Sequence, residues 1–171
     1  MSKTNTFWVF THNFTNTGAP LVLADIVREL AAKGLQKQMK LISWGGKHDH
    51  RHSTLHHQLF EEGFSYQIFD LDSDLPRPRC GDRVLINSLA VPDHVTDQAQ
   101  TWLEKGQINR LDWYAHEANP SIWLPHPEQR ERLKRLLEKF NFNLFVPSKY
   151  ILERYQKWTG YFGNQLSCLT P

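Results

Sequence analysis

The segment from Phe7 to Ala32 constrains the fold of this chain most strongly. It opens with Phe7–Phe10, an unbroken apolar run of the kind found in strands that are buried on both faces of a parallel sheet. Polar turn residues and Gly18 come next, and Gly34 stands where a helix C-cap glycine belongs. Between the two glycines, four apolar residues recur at helical spacing: Leu23, Ile26, Val27 and Leu30. The pattern predicts a buried strand, a short turn and a helix, in that order.

The same alternation continues along the chain. Further strands are predicted at 38–44, 66–69, 83–87, 109–116 and 143–146. Further helices are predicted at 54–62, 92–105, 128–140 and 148–159. Residues 120–127 contain three prolines and are excluded from regular helix, and residues 163–171 form either a last strand or the start of an interdomain linker. The alternation predicts one α/β domain over residues 1–171, with Rossmann-like layers around a mainly parallel sheet of about six to seven strands.

Composition narrows the classes of function. The formal net charge of +2 at pH 7 is too small to indicate a nucleic-acid partner. No apolar run approaches the roughly 18–20 residues that cross a bilayer, and the first residues lack the pattern of a signal peptide. The two cysteines, Cys80 and Cys168, lie far apart and form no CxxC motif. These features favour a reduced, cytoplasmic setting.

The functional site is expected at one end of the sheet. In a doubly wound parallel sheet, ligands bind outside the carboxyl ends of the strands, where the strand order reverses. The first, fourth and fifth predicted strands are expected to meet there. The segments that follow them are Thr11–Pro20, Asn87–Ser88 and His116–Pro120. We therefore expect functional side chains in these three segments.

Two common nucleotide-binding motifs do not occur in the sequence. The turn after the first strand has one glycine followed by Ala19 and Pro20, which is not the G-x-G-x-x-G pattern. Residues 43–46, Ser-Trp-Gly-Gly, provide no acidic residue to bind an adenine ribose. No Gly-Lys-Ser/Thr sequence is present either. The sequence thus argues against a nicotinamide-dependent enzyme and excludes a P-loop nucleotide hydrolase.

Three segments resemble the amino-terminal domain of group 1 retaining glycosyltransferases of the GT-B fold. The first is Thr17–Pro20, which opens the helix that runs to Gly34. The second is the strand end Trp113–Glu117, and the third is Leu144–Tyr150, where a late strand runs into a Ser-capped helix. The resemblance covers most of the chain and lies in the order and spacing of these segments.

The resemblance implies a function. In this family the amino-terminal domain mainly binds the acceptor, and a carboxyl-terminal domain, which this chain lacks, mainly holds the nucleotide-sugar donor. The chain is expected to be a domain fragment of an enzyme that transfers a sugar, with retention of configuration, to a sugar, lipid-linked or protein acceptor. It is expected to be inactive alone and to need no metal or other cofactor. The alternative is a non-catalytic Rossmann-like binding or interaction module.

Six residues are candidates for the site. The resemblance implies that the loop of Gly18 approaches the donor phosphates and that His116 contacts the donor sugar or its phosphate. A helix N-terminus with unpaired N–H groups also suits a departing diphosphate. The candidate catalytic residues are His116 and Glu117, and the candidate phosphate-binding residues are Thr17, Gly18, Ala19 and Asn87.

Structural interpretations stay open for these candidates. Gly18 can serve a tight turn alone, His116 can be a satisfied structural histidine, and Glu117 can favour the positive end of a nearby helix. Three nearby aromatic residues are expected to pack in the protein rather than to stack on a sugar ring: Trp113, Tyr114 and Trp123.

Two polar stretches are interpreted as solvated surface. The stretch His48–His57 contains five histidines, and His52 and His56 are four residues apart, but no flanking ligand completes a metal site. We expect a solvated loop near the rim of the cleft. Over residues 128–140, basic residues alternate with glutamates, which favours a solvated helix face over docking to a membrane surface.

Overall fold

A single parallel sheet forms the centre of the molecule. The computed structural model describes residues 5–14, 18–44, 54–70 and 74–169. The strands are β1 (Phe7–Thr11), β2 (Met39–Ser43), β3 (Tyr66–Ile68), β4 (Arg83–Asn87), β5 (Arg110–Tyr114), β6 (Phe142–Val146) and β7 (Leu166–Cys168). They form one seven-stranded sheet in the order β3-β2-β1-β4-β5-β6-β7, and every neighbouring pair is parallel. The predicted α/β, Rossmann-like fold is confirmed.

Helices connect these strands and cover the sheet. Within the described ranges they are α1 (Gly18–Ala32), α2 (Thr54–Glu61), α3 (Asp93–Glu104), α4 (Pro120–Trp123), α5 (Pro127–Lys139) and α6 (Lys149–Thr159). A 3-10 turn at Gln36–Gln38 precedes β2. The helices in those ranges are too short or too polar to cross a membrane.

The helix ends follow local chemistry that is visible in the sequence. Gly34 comes shortly after α1 and Gly160 directly after α6, and both have a positive φ, 85° and 69°. Glycine adopts this left-handed conformation without the steric cost that a Cβ atom would add. At the start of α6, the Ser148 hydroxyl accepts a hydrogen bond from the Ile151 N–H at 3.3 Å, as predicted for an N-cap serine.

Apolar side chains pack against both faces of the sheet. On one face, Phe10 and Ile86 belong to a large cluster that includes Leu136 of α5. On the other face, Val9 belongs to a second cluster that includes Val27 of α1. Because successive side chains of a strand point to opposite faces, a central strand between two helical layers must be apolar at every position. This requirement explains the continuous apolar run of β1.

Two predictions about element bounds are wrong. Strand β5 ends at Tyr114, because the partner of Tyr114 in β4 is Asn87, the last residue of that strand. His116 therefore lies in the loop after the strand and not at its end.

Pro120–Trp123 forms one helical turn, because Pro120 occupies the first turn, where the missing N–H of proline costs nothing. At the far edge, Leu166–Cys168 is a strand, which was one of the two alternatives for that segment.

Candidate functional site

The strand order reverses between β1 and β4, which creates a switch point at the carboxyl edge of the sheet. Thr11, Asn87 and Tyr114, the last residues of β1, β4 and β5, are paired in register across this edge. The structure therefore brings together the ends of the three strands that were predicted to meet. The candidate residues that follow these strands lie at one edge of the sheet.

Asn87 connects three chain segments at the switch point. Its side chain is fully buried, with 0% exposure. The Asn87 Nδ2 donates a hydrogen bond to the carbonyl of Ala19 in the first turn of α1, at 3.1 Å, and lies 3.5 Å from the Thr11 hydroxyl. The Asn87 Oδ1 lies 2.8 Å from Nε2 of His116. Asn87 thus holds the start of α1 and the loop after β5 at fixed positions relative to each other.

The same amide determines which nitrogen of His116 carries a proton. The Ala19 carbonyl can only accept a hydrogen bond, so the amide group that faces it must be the NH₂ of Asn87. The oxygen of that amide then faces His116 and requires a donor, so Nε2 of the imidazole carries the hydrogen. In the neutral ring, Nδ1 is left with a lone pair. His116 therefore has a defined tautomer and one remaining ring nitrogen that can meet a ligand.

The surroundings of His116 favour its neutral form. The ring lies against Tyr114, with ring centroids 4.3 Å apart. Burial lowers the pKa of His116 below its usual value, the Glu117 carboxylate acts in the opposite direction, and the neighbouring His12 lowers the pKa further. A ligand with a negative charge at this site would raise the pKa again, because an opposite charge stabilises the imidazolium.

Glu117 is engaged within the protein. One carboxylate oxygen accepts a hydrogen bond from the Ser88 hydroxyl at 2.5 Å, and the other accepts one from the Leu89 N–H at 3.0 Å. Ser88 has a φ of 85°, a left-handed conformation that is costly for a serine. The carboxylate therefore holds a strained loop directly after Asn87. The main chain of Glu117 is held in turn, because its carbonyl accepts a hydrogen bond from the Tyr155 hydroxyl at 3.1 Å.

Gly18 begins α1, and nothing in the described part of the protein requires a glycine there. It is not among the described glycines that have a positive φ. A Cβ atom built on Gly18 would have no described atom within 4 Å. The tight-turn interpretation therefore gains no support from the backbone of Gly18. A close approach by a ligand is a remaining physical reason for a residue without a side chain. Thr17 lies outside the described residues.

His12 is a residue of this site that the sequence interpretation did not single out. It directly follows β1, and its Nδ1 is buried and has no hydrogen-bond partner among the described residues. Burial lowers the pKa of His12, and the nearby Glu117 carboxylate partly opposes that effect. Buried polar atoms nearly always have a partner, so the Nδ1 of His12, which has none among the described residues, is available to a water molecule or a ligand at the switch point. The signal in the sequence was its position directly after the first strand.

Comparisons with known proteins do not identify the chain. No protein-family model matches it, and no curated protein matches it. Its fold and the chemistry of the switch point are therefore the grounds for assigning a function.

The histidine-rich stretch that the sequence analysis singled out lies partly outside the described ranges. His48–Ser53 are among the residues that the structure does not describe. His56 was predicted to be solvated but is buried on α2, where its 8% exposure reflects packing of that helix face toward the core, and the neighbouring His57 is exposed. Over the ranges that the structure describes, no group of three or more His, Cys, Asp or Glu residues is arranged so that it could hold a metal ion.

The three aromatic candidates differ in how far they are buried. Trp113 and Tyr114 are buried in β5, which confirms the expectation that they pack in the protein. The Trp113 indole N–H also donates a hydrogen bond to the Ser88 carbonyl at 3.2 Å, which further holds the strained loop. Trp123 was expected to pack as well, but it is 45% exposed, because α4 is a single turn on the surface.

The stability of the protein should fall as the solution becomes mildly acidic. The pKa values of His12 and His116 are lower in the folded protein than the ordinary value of 6.5, so the unfolded chain binds more protons below that pH. Their contribution to stability is therefore complete above the unfolded pKa and is lost as the pH falls toward the lowered folded pKa values. Urea denaturation at about pH 7.5 and about pH 5.5 measures the difference. The variant H12Q/H116Q should lose less stability over this interval than the wild type, and an equal loss would contradict the assignment.

Proposed function

We propose that this chain is the acceptor-binding, amino-terminal domain of a retaining glycosyltransferase that uses a nucleotide-sugar donor. A second Rossmann-like domain would hold the nucleotide, and the reaction would take place at the switch-point edge of this domain. The observation that carries the proposal is the bridge that Asn87 makes between Ala19 in α1 and His116 after β5. This bridge holds a helix N-terminus and an imidazole of defined tautomer at the same edge of the sheet.

Each part of that arrangement suits the chemistry of glycosyl transfer. When the bond between the sugar and the diphosphate of the donor breaks, the nucleoside diphosphate leaves with the negative charge. The first turn of α1 presents N–H groups that have no partner within the helix. The absence of a side chain at Gly18 lets a phosphate approach those groups closely. The partial positive charge of the helix start stabilises negative charge that develops as the bond to the sugar breaks.

His116 would contact the donor through Nδ1, since Nε2–H is used by Asn87. The neutral ring accepts a hydrogen bond from a sugar hydroxyl at this nitrogen, and the protonated ring donates one to a phosphate oxygen. Charge on the departing diphosphate favours the second state, because it raises the pKa of the imidazole. The contact then strengthens as the reaction proceeds, which is the condition for lowering the barrier.

Glu117 enters the proposal as a positioning residue. Both of its carboxylate oxygens accept hydrogen bonds from the loop after β4, so the group is committed to holding Ser88 and Leu89. This internal engagement is also what a non-catalytic Rossmann-like binding module would show. Sugar transfer by the full-length protein separates the two functions: a transferase releases nucleoside diphosphate from a donor, and a binding module does not.

The chain of residues 1–171 should bind nucleotide-sugars weakly when it is tested by itself. In the proposed enzyme the nucleotide is held by the other domain, so this chain contributes only the phosphate-facing edge. Calorimetric titration with uridine, guanosine and thymidine diphosphate sugars should give dissociation constants above about 0.1 mM, equivalent to binding weaker than about −5.5 kcal/mol. Micromolar affinity for any of these donors would mean that this chain is the donor-binding half.

A further inference from the structure

A shallow groove between α4 and α6 has the properties of an anion-binding site. Five residues line it: Asn119, Pro120, Arg154, Lys157 and Trp158. The groove borders the switch-point loop, because Asn119 is three residues after His116 on the same segment. Tyr155, which lies between Arg154 and Trp158 in α6, braces that segment through its hydrogen bond to the Glu117 carbonyl.

The two charged groups of the groove are both donors, and the amide of Asn119 adds a further donor. Arg154 and Lys157 carry positive charges. The Oδ1 of Asn119 accepts a hydrogen bond from the Ser121 hydroxyl at 2.8 Å, so the NH₂ of its amide is the group left to face a ligand. Two cationic donors and an amide NH₂ favour a ligand that carries acceptor oxygens and negative charge.

Within the described ranges, no carboxylate pairs with the positive charges of the groove. Neither Arg154 nor Lys157 has a carboxylate within 4.0 Å among the described residues, although Glu153 is one turn from Lys157. Four basic residues of α5 differ in this respect, since each has a carboxylate partner: Arg130, Arg132, Lys134 and Arg135. These four charges of α5 are therefore paired, whereas Lys139 of α5 and both basic residues of the α4–α6 groove have no carboxylate within 4.0 Å among the described residues.

The rest of the groove suits a ring-shaped ligand. The guanidinium of Arg154 is held by Tyr150, whose hydroxyl accepts its hydrogen bond at 3.0 Å and whose ring lies 5.7 Å from the guanidinium carbon. This contact reduces the side-chain freedom that Arg154 would lose on binding. The half-buried Trp158 provides apolar surface beside the donors, and a sugar ring packs on surfaces of this kind.

We propose that the α4–α6 groove binds the phosphate or carboxylate group of an acidic sugar, and that this sugar is part of the acceptor. The identification of the ligand as the acceptor rests on the proposed glycosyltransferase function. Binding of an acidic sugar by the groove does not depend on it. A sugar phosphate and a sugar carboxylate both present negatively charged acceptor oxygens, so probes that carry one group or the other distinguish them.

Calorimetry on the full-length protein with glucose 6-phosphate, glucuronate and glucose tests the groove directly. We expect the better of the two anions to bind at least about tenfold more tightly than glucose, and R154Q/K157Q to remove most of that preference. Stronger binding of glucose 6-phosphate identifies a phosphate-bearing ligand, and stronger binding of glucuronate a carboxylate-bearing one. The control R130Q/K139Q removes the same charge from α5 and should change the affinity by less than about twofold.

Three outcomes would contradict the assignment of the groove as an acidic-sugar site. They are no preference for either anion over glucose, equal anion binding by R154Q/K157Q and the wild type, and an equal loss of anion binding in the control R130Q/K139Q. Thermal unfolding of each variant verifies folding, and K157Q alone, which changes one exposed side chain, should show a smaller loss in the same direction. If the full-length protein binds the anion in the groove but transfers no sugar, the proposed function is wrong and the groove is still an anion-binding site. A transferase whose KM for acidic acceptors is unchanged in R154Q/K157Q would contradict the groove as the acceptor site.

Discussion

In the proposed glycosyltransferase, replacing His116 by alanine should lower the kcat of sugar transfer roughly ten- to a thousandfold, which corresponds to about 1.4–4 kcal/mol of transition-state stabilisation. The imidazole is fixed by its hydrogen bond to Asn87 at 2.8 Å and by its packing against Tyr114. Its remaining nitrogen can therefore meet the donor without reorganisation at the moment when charge develops on the diphosphate. Steady-state kinetics with a saturating donor would measure the loss.

The protein should stay folded in this variant. The side chain is half-buried, and it loses one hydrogen bond and one ring contact, so we expect a decrease of about 1 kcal/mol in the free energy of unfolding. H94A is the matched control, because His94 is exposed on α3 and should leave turnover nearly unchanged. Wild-type turnover in H116A would contradict a catalytic role. Unfolding of H116A would mark His116 as a structural residue instead.

Replacing Asp82 by alanine should give the largest loss of stability among polar substitutions, about 2–4 kcal/mol. Asp82 precedes β4 at the amino edge of the sheet and is 2% exposed. Its carboxylate accepts hydrogen bonds from the Trp8 indole N–H at 2.9 Å, the Thr6 N–H at 2.8 Å and the Arg79 N–H at 2.9 Å. Removing it would leave the buried Trp8 indole N–H and two partly buried backbone N–H groups without this acceptor, which costs more than the net gain of forming those bonds.

Urea denaturation would measure the effect of D82A, with D25A as the control. The Asp25 side chain is 80% exposed and pairs with Arg28 at 3.5 Å across one helical turn, so its removal should cost less than about 0.5 kcal/mol. If D82A and D25A lose the same stability, the three hydrogen bonds of Asp82 do not hold the edge of the sheet as inferred. Because Asp82 lies at the opposite edge from His116, D82A should not change the chemistry of the switch point at temperatures where it is folded.

The fold was predictable because the spacing of apolar residues along the sequence differs between buried strands and amphipathic helices. The central strands must be apolar at every position, as Phe7–Phe10 and the interior of β4 are, and helices carry their apolar residues at a different period. The end of β5 was not predictable to the residue, because a strand stops where its neighbour stops. The residues Trp113–Ala115 continue the apolar pattern, yet pairing with β4 ends at Tyr114.

The location of the site followed from topology, but its chemistry did not. The rule that ligands bind at the carboxyl edge of a doubly wound sheet was enough to select Asn87 and His116 from the sequence. The engagement of both Glu117 oxygens by the loop after β4 could not be foreseen, since the partners are 28 and 29 residues away along the chain. The sequence also could not show that the Nδ1 of His12 is buried without a partner among the described residues, because the burial of one atom depends on all of its neighbours in space.

The sequence by itself determined the strand and helix pattern, the parallel α/β class and the edge of the sheet where function is expected. These properties depend on periodicity, on turn residues and on the handedness of connections, all of which are local or general. Only the tertiary structure decided the tautomer of His116, the engagement of both Glu117 oxygens, the burial of His12 and, within the described ranges, the lack of a carboxylate partner for Arg154 and Lys157. Each of these depends on distances of a few ångströms between side chains that are remote along the chain, and a hydrogen bond or ion pair changes in strength within such distances.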